Sequence, residues 1–125
     1  MRIYLSGCMT GMPDHNRAAF NAAAKRLRKQ GHFVINPAEL SDLFATPLGL
    51  EAAFRVYNDP SDSSTEDVNR LNNIAEQVMQ ADLAAVRSCD AIYLLRGWET
   101  SRGAKRELAE AIAHGLAIIQ EGEEA

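Results

Sequence analysis

The sequence predicts a single α/β domain built on a parallel sheet of four or five strands, with helices on both faces. Three observations carry this prediction. Short apolar runs, "RIYLSG", "HFVINP", "DAIYLL" and "LAIIQ", alternate with segments of helical spacing. The run "AIYLL" is apolar at every position, as a strand covered on both faces should be. The chain has 125 residues, 46% of them hydrophobic, which is enough for one core and too little for two ordinary domains.

"RIYLSG" reads as the first strand and ends at Gly7. "GCMTGMPDHN" follows as a loop with two glycines and a proline. Ala19, Phe20, Ala23, Ala24 and Leu27 then recur at helical spacing, with Asn16 or Asp14 as N-cap and Gly31 as the stop. "HFVINP" is the second strand, closed by Asn36 and Pro37. An insertion over about residues 40–66 has the weakest pattern: "TPLGLEAAFRVY" suits a short helix and "NDPSDSSTED" a polar loop, and a fifth strand would have to lie here. From Glu66 onward, Val68, Leu71, Ile74, Ala75, Val78, Ala81, Leu83 and Val86 predict a long helix whose apolar positions fit more than one phase. After "DAIYLL", Ser101 caps a final helix over Arg102 to His114, with Leu108, Ile112 and Leu116 as its buried stripe. Gly115 ends it, "LAIIQ" is the last strand, and 121–125 form a solvated acidic tail. The whole of 1–125 is read as one domain.

This order matches the doubly wound, Rossmann- or flavodoxin-like arrangement, in which ligands collect beyond the carboxyl ends of the strands. The chain places its unusual residues at two such points, Gly7 to Asn16 and Arg96 to Glu107. A net charge of −4 argues against a surface built for nucleic-acid polymers. Cys8 and Cys89 lie far apart with no metal-ligand spacing, so no metal site is expected and one disulfide is the most they allow. Met1 and Arg2 run directly into an apolar strand, and no apolar run is long enough to cross a bilayer. The expectation is a reduced, cytoplasmic protein without a membrane partner.

The loop "GCMTG" lacks both G-x-x-x-x-G-K-[ST] and G-x-G-x-x-G, so a tight turn and a ligand cradle explain it about equally well. In "GWETSRGAKREL", Ser101 is a helix cap whatever the function. Gly103, inside the first helical turn, costs about 1 kcal/mol against alanine, which implies close approach of the helix to the sheet or of a ligand to the backbone. Glu107 follows one turn later beside Lys105 and Arg106, and a solvated surface glutamate is the plain alternative. Asp82 interrupts an apolar helical stretch, either at the surface or at a pocket mouth. Asp90 fixes a turn or caps the preceding helix. Tyr4 is simple core, or its hydroxyl reaches the rim of the sheet. His15, His32 and His114 are scattered and make no triad with a serine or cysteine.

Together, "YLSGCMTGMPDHN", "NPAEL", Asp82, Asp90 and "CDAIYLLRGWETSRGAKRELAEAIAHG" resemble the nucleoside 2-deoxyribosyltransferase-like superfamily. That superfamily includes the 2′-deoxynucleoside 5′-phosphate N-hydrolases. The likeness is greatest to a phage and prophage-type branch and covers nearly everything except roughly residues 40–80. The resemblance implies that Glu107 attacks the anomeric carbon, Asp82 handles the sugar or protonates the leaving base, and Tyr4 orients the nucleophile. It implies a sugar or phosphate pocket lined by Ser101, Gly103, Trp98 and the loop residues Gly7, Cys8, Met9, Thr10 and Gly11.

The chain departs from the phosphate-binding hydrolases at Cys8 and Thr10, where they carry serine and arginine. Arg96 and Arg102 are the candidate replacements. Lys105 and Arg106, if turned inward, would lower the Glu107 pKa. The expected function is cleavage or transfer of an N-glycosidic bond in a nucleoside or its 5′-monophosphate, without a cofactor, by a homo-oligomer. The competing expectations are a catalytically inactive nucleotide-binding or sensing domain and, behind it, a purely structural accessory protein.

Overall fold

A computed structural model of the chain describes residues 1–9, 12–39 and 68–122. Four parallel strands form one sheet: β1 (Arg2–Ser6), β2 (Phe33–Ile35), β3 (Ala91–Leu94) and β4 (Ala117–Gln120), in the spatial order β2-β1-β3-β4. Among the described residues three α-helices accompany them: α1 (Arg17–Lys29), α2 (Val68–Arg87) and α3 (Arg102–Ala113). This is the doubly wound order of a flavodoxin-like domain, with the chain reversing direction across the sheet between β1 and β3. The expected helix in "TPLGLEAAFRVY", the polar loop after it and any fifth strand lie outside the described residues.

Alternation along the central strands divides the core into two layers. Ile3, Leu5, Ala91, Tyr93 and Leu95 meet Phe20, Ala23, Ala24 and Leu27 of α1. Tyr4, Ile92 and Leu94 point the other way, toward Val86, Cys89 and Ala111 on the α2 and α3 side. The period of two thus puts Tyr4 on the α3 side, and Ser6 with it. The register pairs Tyr4 with Ile92 and Ser6 with Leu94, so Ser6 lies at the carboxyl ends of the strands and Tyr4 two residues before it.

The last helix buries a face other than the expected one, whereas α2 buries part of its expected set together with Met79. In α2 the buried positions are Ala75, Met79, Leu83 and Val86, while Ala81 is exposed and Val78 half-buried. In α3 they are Ala104, Glu107 and Ala111; Leu108 is half-buried, and Ile112 is 60% exposed. The reason is close packing between the two helices. A side-chain carbon on Gly103 would sit 3.2 Å from Met79 Sδ, so α3 turns its smallest residues inward and its branched Ile112 outward. Gly103 therefore accommodates a neighbouring helix, rather than the sheet.

Other details differ from expectation. Asp90 neither caps α2 nor makes a local turn: its Oδ2 accepts from the Arg2 backbone N–H at 2.8 Å and its own N–H donates to Arg2 O, tying the entrances of β1 and β3. Asn16 stands at the α1 N-cap position with φ 62°, but its side chain caps nothing and donates instead to Cys8 O at 3.0 Å. Cys8 follows β1 and Cys89 precedes β3, at opposite ends of a parallel sheet, and no disulfide joins them. No helix among the described residues is long and apolar enough to cross a membrane.

Gly7 lets the ends of β1 and β3 meet. Leu95 N–H donates to Ser6 O at 2.8 Å, and a carbon added at Gly7 would lie 2.9 Å from Leu95 Cβ, which is buried and has nowhere to go. Gly7→Ala is expected to lower unfolding stability by about 1–3 kcal/mol, the usual range for overpacking a core. A denaturant midpoint unchanged from wild type would contradict this packing.

Candidate active site

The site begins with two hydroxyls on one face of β1 and one carboxyl on the facing helix. Glu107 lies in the second turn of α3, three residues after Ala104 and four before Ala111. These small neighbours let α3 come close, and the glutamate side chain crosses to the sheet. Tyr4 Oη donates to Glu107 Oε2 at 2.6 Å, and Ser6 Oγ donates to Oε1, also at 2.6 Å. Both distances fall in the range of hydrogen bonds to an ionised oxygen. Glu107 is 6% exposed, and Tyr4 and Ser6 are fully covered.

Asp82 comes from α2. It follows Met79 by three residues and precedes Val86 by four, so it shares their inward face, and it is half-buried. Burial, then the Asp82 charge, push the Glu107 carboxyl up to about 8, against the lowering effect of the Ser6 and Tyr4 hydrogen bonds. Burial alone pushes Asp82 up to about 7. Burial and the Glu107 and Asp82 charges raise the Tyr4 phenol well above its ordinary value, so it stays a donor. The two acids ionise as a pair, and over a window near neutrality they hold one proton between them.

Neither cation beside Glu107 in sequence acts on this carboxyl. Arg106 reaches back to α2, where Nη1 and Nη2 bond Glu76 at 2.6 and 3.0 Å, and Lys105 is exposed. The Arg106 hydrogen bond holds the Glu76 carboxyl down at about 2. A second pair, Arg87 with Glu110 at 2.8 Å, links the same two helices, and His114 joins Glu110 from the C-cap of α3. Of the cations beside Glu107 in sequence, Arg106 thus fastens α3 to α2, and Glu107 is raised where a neighbouring cation would have lowered it.

The remaining candidates occupy varied positions. Ser101 Oγ accepts from Ala104 N–H at 3.1 Å, which makes it the α3 cap. Trp98 packs against the Tyr4 layer, and its indole N–H is buried with no hydrogen-bond partner among the described residues. Cys8 is buried, whereas Met9 packs against the α1 layer on the other side of the sheet from Glu107. Thr10 and Gly11 lie outside the described residues. Arg96 and Arg102 are exposed. Among the described residues no group of three or more His, Cys, Asp or Glu side chains has a geometry that would hold a metal.

Ser6 is the member of the cluster that the sequence reading missed. Its signal was available: it stands two residues after Tyr4 in a strand, so any group that meets one hydroxyl is within reach of the other. The assembled arrangement is a covered carboxyl with two fixed donors and a second acid beside it. It can supply a nucleophile or base and an acid at the same pH.

Residues 1–120 match the family described as Domain of unknown function (DUF4406). The chain belongs to that family. The match runs from before β1 to the last residue of β4, so the DUF4406 frame encloses Tyr4, Ser6, Asp82 and Glu107. No curated protein matches the chain.

Burying these acids has a signature in stability. The Glu107–Asp82 pair titrates above the ordinary carboxylate range, so between about pH 4.5 and about pH 8 the folded domain holds protons that the unfolded chain has released. The pair's contribution is fully present below that window and is lost as pH rises through it. Glu107→Gln removes the Glu107 titration and keeps a group able to meet both hydroxyls. Its stability relative to wild type should therefore increase between about pH 5 and pH 8.5, by more than about 1 kcal/mol in denaturant unfolding. A pH-independent difference would contradict the burial of this carboxyl.

Proposed function

We propose that this DUF4406 domain cleaves or transfers the N-glycosidic bond of a (deoxy)nucleoside or its 5′-monophosphate. Glu107 is the nucleophile, Asp82 the acid, and Tyr4 the residue that orients the nucleophile. The supporting observation is the covered Glu107 carboxyl, bonded to Tyr4 at 2.6 Å and coupled to Asp82. The Tyr4–Glu107 hydrogen bond, with the Asp82 charge acting on both groups, supports the roles that the likeness to the nucleoside 2-deoxyribosyltransferase-like superfamily implies for them.

The chemistry follows two-carboxylate logic. A Glu107 oxygen bonds to C1′ as the C1′–N bond breaks through an oxocarbenium-like state. The bonding pair leaves with the base, which takes the Asp82 proton. The Asp82 carboxylate then removes a proton from water, whose oxygen attacks C1′ and frees Glu107, completing hydrolysis. Attack by a nitrogen of a second base gives transfer instead. Superfamily enzymes complete their pockets across subunits, so a homo-oligomer belongs to the same proposal.

A second reading has its own support: Glu107 is nearly covered, and both its oxygens are occupied by hydroxyls. A site so closed suits a nucleotide-binding or sensing domain that does no chemistry. Incubation with a panel of deoxynucleosides and their 5′-monophosphates separates the two. The enzymatic reading predicts free base from at least one member, and a loss on the order of 10³-fold or more in Glu107→Gln. Ligand binding without base release from any member favours the sensor. Release at the wild-type rate by Glu107→Gln would rule out the assigned nucleophile.

A further inference from the structure

Ser6 meets the same carboxyl as Tyr4, and the two hydroxyls occupy different oxygens of it. Among the described residues neither hydroxyl has another side-chain partner, and both are shut off from water. Each carries one proton. An ionised Glu107 accepts both. A protonated Glu107 would bring a third proton to a place with two contacts, leaving one O–H facing the apolar layer of Ile92, Leu94 and Ala111. Asp82 has no comparable donors among the described residues, and burial is the one influence that shifts it. Of the two ways to share a single proton, only the one with the charge on Glu107 satisfies every hydroxyl.

We infer that Ser6 is a positioning residue: with Tyr4 it holds the pair's single charge on Glu107 and leaves the remaining proton on Asp82. Nucleophile and acid are then assigned before any substrate arrives. The catalytic meaning of this assignment rests on the reading proposed above; the location of the proton does not.

The groups facing Glu107 are few. Tyr4 and Ser6 come from β1 and Asp82 from α2, while β3 presents Ile92 and Leu94. Cys89 acts on Tyr4, not on Glu107. Within α3, Arg106 is held by Glu76, and Glu110 by Arg87. Burial and the Asp82 charge hold Glu107 up at about 8, against about 7 for Asp82, even with the lowering by the Ser6 and Tyr4 hydrogen bonds counted. The proton count at the two hydroxyls favours the opposite order. Because the two share one proton, the hydrogen bonds decide where the charge sits.

The test is a carbon-13 NMR titration of the full chain with labelled Glu and Asp carboxyl carbons, assigned by Glu107→Gln and Asp82→Asn. In the wild type the Glu107 carbon should shift first as pH rises, and the Asp82 carbon second. In Ser6→Ala the Glu107 step should move up by about one pK unit or more, closing or reversing the gap. Ser6→Cys, close in volume and a weak donor, should move it the same way and covers the case in which Ser6→Ala fails to fold. Asp82 ionising first in the wild type would overturn the inference. So would a Glu107 step that stays put in the Ser6 variants.

No substrate enters this titration, so a failure of base release leaves it readable. If base is released, the acidic limb of the wild-type rate profile should shift upward by the same amount in Ser6→Ala. An unmoved limb would remove Ser6 from the account while leaving Glu107 in it.

Discussion

Two hydroxyls at alternate positions of β1 donate to the two oxygens of one carboxyl on α3, inside the layer between sheet and helices. A carboxyl taken out of water is strongly unfavourable unless it is hydrogen-bonded or neutralised, so this contact constrains everything near it. It fixes how far α3 slides along β1, because a shift of one residue on the helix would swing Glu107 off the sheet. It favours small residues at Gly103, Ala104 and Ala111, since the side chain reaches Tyr4 and Ser6 only if the helix comes close. It also places the inward face of α2, with Met79 and Asp82, against the same point. The ion pairs of Glu76 with Arg106 and Arg87 with Glu110 hold α2 and α3 together, but they are largely exposed and individually weak.

The same contact sets stability against use. Two acids raised toward neutrality are held where at least one prefers to be uncharged, and the fold bears that burden at every pH above the ordinary carboxylate range. A core built for stability alone would place apolar side chains at positions 82 and 107. Paired acids with displaced titrations recur in sites that move protons, and here they lie beneath the carboxyl ends of β1 and β3, where doubly wound sheets take their ligands.

The fold was legible where hydrophobic pattern and topology agreed. "DAIYLL" announces a strand buried on both faces, and Ser101 announces the start of α3. Helix phase was harder to read. Ile112 looks like core on a helical wheel, while the true inward face is made of glycine, alanine and glutamate, residues that carry no apolar signal. In α2 the same difficulty hid the choice between Val78 and Met79. Tyr4 and Glu107 lie 103 residues apart, so their meeting depends on β1 and β3 being neighbours, a fact of topology rather than of local pattern. The likeness to a known superfamily supplied that pair. It did not supply Ser6, whose one sequence signal is its place two residues after Tyr4 on the same face of a strand. Nor could adjacency in sequence reveal that Arg106 faces Glu76 and leaves Glu107 alone.

The central claim is that Tyr4 and Glu107 form a single buried unit, and a double-mutant cycle in unfolding free energy tests it most directly. Tyr4→Phe strips the donor, Glu107→Met replaces the carboxyl with an apolar side chain of similar length, and the double variant removes both. The account predicts coupling of about 1–3 kcal/mol, with the double variant losing much less stability than the two single losses added together. Losses that add to within about 0.3 kcal/mol would mean that the two side chains do not meet, and the site would have no foundation.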